Sequence, residues 1–418
     1  MTDNTQRSVY AIATMDTKGD ELNFVAKCLR DAGVATKTVD VSTAGEAIGT
    51  PDVTREQVIE NGRVHESDSA GDHATVDRSI ERGAAVTAMG VHLRNYMVDQ
   101  CRQGRVSGVI GIGGSGGTAL ITAAMRALDI GLPKVMVSTV ASGNTAPYID
   151  CSDITMMYSV VDVAGLNNVS RRVLSNAAHA MAGMVSHSIA DAEVKTTIGM
   201  TMFGVTTPCV SMVRQSLEQL GNECLVFHAT GTGGRAMEQL VESGLIQGVL
   251  DVTTTEVADE IVGGVFPAGA QRFDRILSSR IPYVLSLGAL DMVNFGAVET
   301  VPEPLRDRKL HVHNAQVTLM RTNAQENEAA AVWIANKLNR STAPLTVVIP
   351  ELGVSSLDIE GGPFHDPEAN AALFDTLTKR LEQTATRRIL RLPLHINDPA
   401  FADAIVAEYH RVEDQCRG

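Results

Sequence analysis

Short β-branched runs alternate with longer amphipathic segments almost from one end of the chain to the other. Such alternation predicts βα units and a mainly parallel sheet. Strands are expected at 9–14, 36–41, 108–112 and 134–138, and a second set at 197–202, 223–228, 248–251, 283–287, 345–349 and 388–392. Between them, residues 20–32, 117–128, 206–220 and 324–338 repeat apolar positions with a helical period. The polar, turn-rich stretch 42–75 reads as an exposed excursion with little regular structure.

A weak internal repeat divides the chain. Residues 11–41 and 199–227 both read strand, polar turn, helix, glycine, strand, with Leu29 and Gly33 opposite Leu217 and Gly221. The glycines serve as helix terminators, although any two βα units share some of this likeness. A long helical pattern at 168–192 would carry the chain across. The expected fold is therefore α/β, with two Rossmann-like domains at 1–193 and 194–418 and mainly parallel sheets.

Composition narrows the setting. The chain has 418 residues, enough for two or at most three domains. A net charge of −14 argues against a nucleic-acid partner, which needs a basic patch. It also means that an anionic ligand must be held by local backbone dipoles and a few cations. Six cysteines without a C-x-x-C pair fit a reducing compartment. No basic-then-apolar leader and no run of 18 apolar residues occurs, so a cytoplasmic protein without a membrane partner is expected.

In doubly wound sheets ligands bind beyond the carboxyl ends of the strands, and the polar and glycine residues concentrate in those loops. The string GIGGSGGTAL at 111–120 follows an apolar strand and opens a helix. Free N–H groups at such a start attract an anion, and Gly113, Gly114, Gly116 and Gly117, with Ser115 and Thr118, would let a phosphate approach. The string satisfies G-x-G-x-x-G but lacks an acidic residue closing the next strand. It also approaches the P-loop spacing, with Gly117 in place of the gripping lysine. Lys18, after the first strand, is the substitute cation. Ser142, Gly143 and Asn144 form a third loop. In the second half, Gly231, Thr232, Gly233 and Gly234 open another helix. With Ala236 and Asp251 they keep a nicotinamide enzyme as a rival reading.

Side chains able to do chemistry gather in the second half. His313, Glu351 and Asp291 are candidates for acid–base work, and Arg321 and Asn294 for gripping a substrate; Arg321 has the fork that suits a carboxylate or phosphate. His311 and His313 would share a strand face, but spacing places no third ligand, so no metal site is assigned.

The strings YAIATMDTKGDE (10–21), GIGGSGGTALITAAMRALDIGLPKVMVSTVASGNTAPY (111–148) and DITMMYSVVDVAGLN (153–167), with GMTMFGVTTPCV, HATGTGGRAME, GALDMVNFG and HVHNAQVTLMRTNAQEN, resemble the Tm-one-like ATP-binding domain family. That family is named for a plant tobamovirus-resistance protein with a homologous amino-terminal half. The resemblance implies two α/β domains, self-association into a homo-oligomer, and nucleotide binding; the expected cofactor is ATP, with Mg2+ as its counter-ion. The expected function is thus binding of a nucleotide or another phosphorylated or acidic small molecule, by a metabolic enzyme that acts on a small acidic substrate in the interdomain cleft. The alternatives are a non-catalytic nucleotide-binding or protein-interaction module and an NAD-dependent oxidoreductase.

Overall fold

A computed structural model describes residues 7–63, 82–187 and 195–417. The chain divides into two compact units, 1–192 and 193–418. The first contains β1 (Ser8–Ala13), α1 (Met15–Asp31), β2 (Thr36–Asp40), α2 (Arg55–Gly62), α3 (Arg82–Arg102), β3 (Val106–Gly113), α4 (Ser115–Met125), β4 (Lys134–Ser138), α5 (Ala146–Ile149), β5 (Thr155–Tyr158) and α6 (Asn168–Ser186). Its five strands are all parallel, in the order β2-β1-β3-β4-β5. Interior strand β1 is buried throughout. Tyr10 and Ile12 pack with α3 and α4, while Val9, Ala11 and Ala13 pack with α1 and α6, so helices cover both faces.

The second unit runs β6 (Thr197–Met202), α7 (Thr207–Gln219), β7 (Glu223–His228), α8 (Thr232–Glu242), β8 (Gly248–Thr253), α9 (Thr255–Val262), α10 (Asp274–Ser279), β9 (Tyr283–Gly288), β10 (Met292–Phe295), β11 (Leu310–Asn314), β12 (Val317–Arg321), α11 (Ala324–Leu338), β13 (Leu345–Pro350), α12 (Pro367–Arg380), β14 (Arg387–Leu392) and α13 (Pro399–Arg417). Six parallel strands take the order β14-β13-β9-β8-β6-β7. Between β9 and β13 the chain detours through an antiparallel sheet, β10-β12-β11.

Counted from its own first strand, each unit has the order 2-1-3-4-5, and the second adds a sixth. The order reverses between β1 and β3 in the first unit and between β6 and β8 in the second. Those are the switch points at which doubly wound sheets open a crevice. The α/β class and the parallel sheets are as expected. The excursion at 42–75 is more regular than expected, because Thr54 and Gln57 form a capping box that starts α2; its part beyond residue 63 and the expected helical residues 188–192 lie outside the described residues. Helix α3 escaped the periodicity reading although Ala85, Met89, Leu93 and Met97 form a buried stripe.

Candidate functional site

Three helix N-termini carry the polar loops picked out above, and the structure treats them differently. At α1, the N–H of Met15 donates to Asp40 Oδ1 at 3.0 Å, and that of Asp16 to Ser42 Oγ at 2.9 Å. This end is capped from within the chain. Lys18 marks a kink, with φ −133° and ψ 23°. Its ammonium donates to the Val163 carbonyl, and nearby Glu21 accepts from the Gly165 N–H at 2.6 Å. Lys18 thus ties α1 to the segment after β5.

At α8 the glycine loop already holds an anion. Glu256, in the first turn of α9, accepts from the N–H groups of Gly231 (2.7 Å) and Gly234 (3.1 Å) and from Arg272 Nε (2.9 Å). A Cβ on Gly234 would lie 2.2 Å from Glu256 Oε2, and one on Gly233 would lie 1.8 Å from the His228 carbonyl. The glycines make room for the chain's own carboxylate, so the expected ligand site at Gly231, Thr232, Gly233 and Gly234 is corrected to an internal cap. Buried Arg272 also donates to Glu238 and, through one nitrogen, to both oxygens of Asp251. Burial raises the carboxyls of Glu238 and Glu256 above the usual range, against the pull of Arg272. Asp251, buried and bonded to Arg272, Thr201 and Tyr283, cannot serve as a ribose acceptor.

At α4, among the described residues, no side chain caps the end. Gly113 is needed for the sharp exit from β3, since a Cβ there would lie 2.7 Å from the Thr118 N. Gly114 is the N-cap residue in an extended conformation and offers no side-chain cap. The first ladder bond is Thr118 N–H to the Gly114 carbonyl at 2.8 Å, so the N–H groups of Ser115, Gly116 and Gly117 precede the helical ladder. Ser115 and Gly116 are exposed. A Cβ at Gly116 would meet nothing within 4 Å, and those at Gly114 and Gly117 only ordinary contacts at 3.9 and 3.8 Å. Their backbone does not demand glycine either, as none has a positive φ. The loop is locked from below. Thr118 Oγ1 pairs with Ser138 Oγ at 2.7 Å, and the Thr139 N–H reaches the Gly113 carbonyl at 3.3 Å. Ser142 and Gly143 are exposed in the next loop, where Asn144 Oδ1 accepts from the Ala146 N–H at 3.1 Å and starts α5.

The second-half candidates have separate fates. All three guanidinium nitrogens of Arg321 are engaged, with the carbonyls of Phe364, Thr322 and Asp366 and with Asn370 Oδ1. Buried Arg321 is a structural clamp, which corrects its assignment to a substrate. Asn294 is likewise buried and donates to Asp259 and Thr255. Burial pushes Asp259 up to about 7. Asp291 is buried against Ser355 Oγ (2.7 Å), and burial and the neighbouring Asp358 push it up to about 7. Glu351 pairs with Arg391 Nε at 2.8 Å. His313 is exposed and falls at a register shift of β11, between pairs Val312–Thr318 and Asn314–Val317. The bulge breaks the alternation that would have put it on one face with His311. Asp291, Glu351 and His313 therefore each have a different setting. Among the described residues, no group of three or more His, Cys, Asp or Glu is placed to hold a metal ion, and no helix is long and apolar enough to cross a membrane.

Fold and site together define a protein of two doubly wound α/β units, one with an open helix N-terminus at its switch point and one whose glycine loop is filled by its own glutamate. The chain belongs to the UPF0261 family. The description "Uncharacterised protein family (UPF0261) N-terminal domain" matches residues 7–190, and that of the C-terminal domain matches 195–412. The chain is 51% identical over 406 residues to UPF0261 protein RA0729 of Rhizobium meliloti (strain 1021), covering 97% of this chain and 99% of that protein. It is 46% identical over 427 residues to the ToMV resistance protein Tm-1(GCR237) of Solanum lycopersicum, covering 98% of this chain and 56% of the tomato protein. A UPF0261 protein of Clostridium tetani (strain Massachusetts / E88) is 44% identical over 400 residues.

Glu256 and Arg272 were missed as site-shaping residues. The sequence signal for Glu256 was its place in Thr253-Thr254-Thr255-Glu256, a strand-end loop that opens α9 as the 113–118 loop opens α4.

Proposed function

We propose that the first unit binds the phosphate groups of a small molecule, ATP with its magnesium foremost, at the N-terminus of α4. One observation carries this reading. Of three comparable helix starts, this one alone receives no cap from the described residues, whereas Asp40 and Ser42 cap α1 and Glu256 caps α8, and Gly114, Gly116 and Gly117 leave open space that packing does not require. A phosphate oxygen accepting from the N–H groups of Ser115, Gly116 and Gly117 would complete the missing bonds and meet the positive end of the helix dipole. Magnesium would arrive on the phosphates, which commonly supply much of its coordination. The rival nicotinamide reading loses its two supports, because Glu256 fills the second glycine loop and Asp251 is bound to Arg272. Six free cysteines favour a reducing compartment, the cytoplasm, as the working location. We also take the working form to be a homo-oligomer, a reading that comes from the family resemblance.

The test is ligand-induced thermal stabilisation. ATP with magnesium should raise the melting temperature of the wild-type protein, and Gly114→Val and Gly116→Val should abolish that rise while leaving the circular dichroism spectrum intact. At Gly116, inside the helix, valine is the better former, whereas at the N-cap Gly114 glycine is favoured by about 1 kcal/mol; the space is open at both, so the unliganded variants should melt within a few degrees of wild type. An undiminished ligand shift in both variants would sink the proposal.

A further inference from the structure

We infer that the second unit carries a binding site for a small aromatic carboxylate, in the cleft between α11 and α12. The site lies wholly within that unit and does not depend on the phosphate seat at α4.

The sequence of α11 builds the floor. Gln325, Glu328, Ala329, Val332, Trp333 and Asn336 recur at helical spacing and line one cleft of 680 Å³. That volume suits a small molecule. Ile261 of α9 and Thr376, Lys379 and Arg380 of α12 complete the lining. The apolar part of the floor, from Ala329 to Trp333, rises only about 6 Å along the helix. That is room for one aromatic ring. A partner helix would need apolar anchors over about two turns, and here the polar Gln325 and Asn336 bound the stretch.

The cleft is held in shape from both ends. Asn327 Nδ2 donates to the Ala369 carbonyl at 3.0 Å near the two helix starts. Near their ends, Asn339 Nδ2 donates to the Arg380 carbonyl at 3.0 Å, and its Oδ1 accepts from the Glu382 N–H at 2.9 Å. The two helices therefore run side by side in the same direction. Trp333 is fixed as well: Phe273 meets it edge-on with ring centroids 5.5 Å apart, and the Lys337 ammonium lies 5.2 Å from its centroid. A site already in shape gives up little freedom when a ligand arrives.

Charge selects the ligand. Lys337 and Arg340 are both satisfied by Asp274, at 2.8 and 2.6 Å. Lys379 and Arg380 are exposed, and among the described residues their side chains have no ion pair or hydrogen bond. The bond from Asn339 to the Arg380 carbonyl puts these two cations at the Asn336 end of the cleft. Exposed Glu328 stands eight residues before Asn336, about 12 Å along the helix, and opposes an anion at its own end. A ligand thus lies with its ring beside Trp333 and its anionic group between Lys379 and Arg380, whose fork suits a carboxylate. A singly charged group also suits a chain of net charge −14 better than a phosphate dianion.

Trp333 is the only tryptophan of the chain, so tryptophan fluorescence reports on this cleft alone. Titration of the whole protein with 3-phenylpropionate should shift that emission to shorter wavelength and saturate at millimolar concentrations. Its neutral counterpart, 3-phenyl-1-propanol, should bind about fivefold more weakly, the factor of one well-made exposed ion pair. Lys379→Gln combined with Arg380→Gln should bring the acid to the affinity of the alcohol, and Ala329→Phe, which fills the apolar floor, should weaken both. All three positions are exposed, so the urea unfolding midpoints should stay at the wild-type value. No saturable shift with the acid, or equal affinities for acid and alcohol in wild type, overturns the site. A double variant that keeps the preference for the acid, or that loses both ligands alike, overturns the role of the two cations.

Discussion

At the scale of the residue, Asp291 shows how burial decides what a carboxyl can do. Its Oδ2 accepts from Ser355, while its Oδ1, like Oδ1 of Asp358, is buried without a hydrogen bond. Two carboxyls here face one guanidinium, that of Arg321, which lies 3.8 Å from Asp358 Oδ1. Burial raises both carboxyls, Asp291 to about 7. An unfolded aspartate titrates near 4, so between about pH 4 and pH 7 the folded state binds the extra proton. Stability is then fully present below pH 4 and falls as pH rises through 7. Asp291→Asn removes this dependence. Its stability relative to wild type should improve between pH 5 and pH 7, by on the order of 2 kcal/mol, in urea unfolding at each pH. A difference between the two proteins that stays constant over this range would show that Asp291 is ionised throughout. The sequence identified Asp291 and Arg321 as chemically able groups but not what they do. The partners of Arg321 lie far away along the chain, with Asn370 49 residues on, and no local pattern records such a contact.

Elements explain why similar glycine loops have different fates. Helices α4 and α8 both follow a strand and open with glycines, so both looked like anion seats from local spacing. The difference comes from α9, whose first turn carries Glu256, 25 residues beyond Gly231. Two N–H groups and Arg272 Nε converge on that carboxylate, and Glu256→Ala would leave all three donors buried and unpaired. Breaking a buried ion pair from one side costs about 3–5 kcal/mol. The variant should therefore unfold at a clearly lower urea concentration than wild type, whereas an unchanged midpoint would mean that the loop is held by other contacts. Strands and helices with a strong apolar period were legible within a few residues. Helix α3 escaped despite its buried stripe, and among the strands those that escaped were β5 and the strands of the β10–β12 detour, which are four or five residues long. Such short segments give little room for alternation to register.

For the whole molecule, the weak repeat in the sequence becomes a shared topology. Both units place strand one between strands two and three, with the order reversing beside it. That order could not be read from the sequence, because period and spacing reveal strands but not their neighbours. The long helical pattern between two βα series predicts a division near residue 193; the compact units are 1–192 and 193–418. The homo-oligomer expected from the family resemblance is tested by light scattering at micromolar concentration. A mass of at least twice the 44.5 kDa of the chain is predicted, and 44.5 kDa itself would refute it.

The central claim is that the open start of α4 is a phosphate seat, and a crystal structure grown with ATP and magnesium tests it most directly. Phosphate oxygens should lie about 2.7–3.2 Å from the N–H groups of Ser115, Gly116 and Gly117, with Glu256 still capping Gly231 and Gly234. Phosphate density at another place in the chain, with the N–H groups of α4 facing only water, would contradict it.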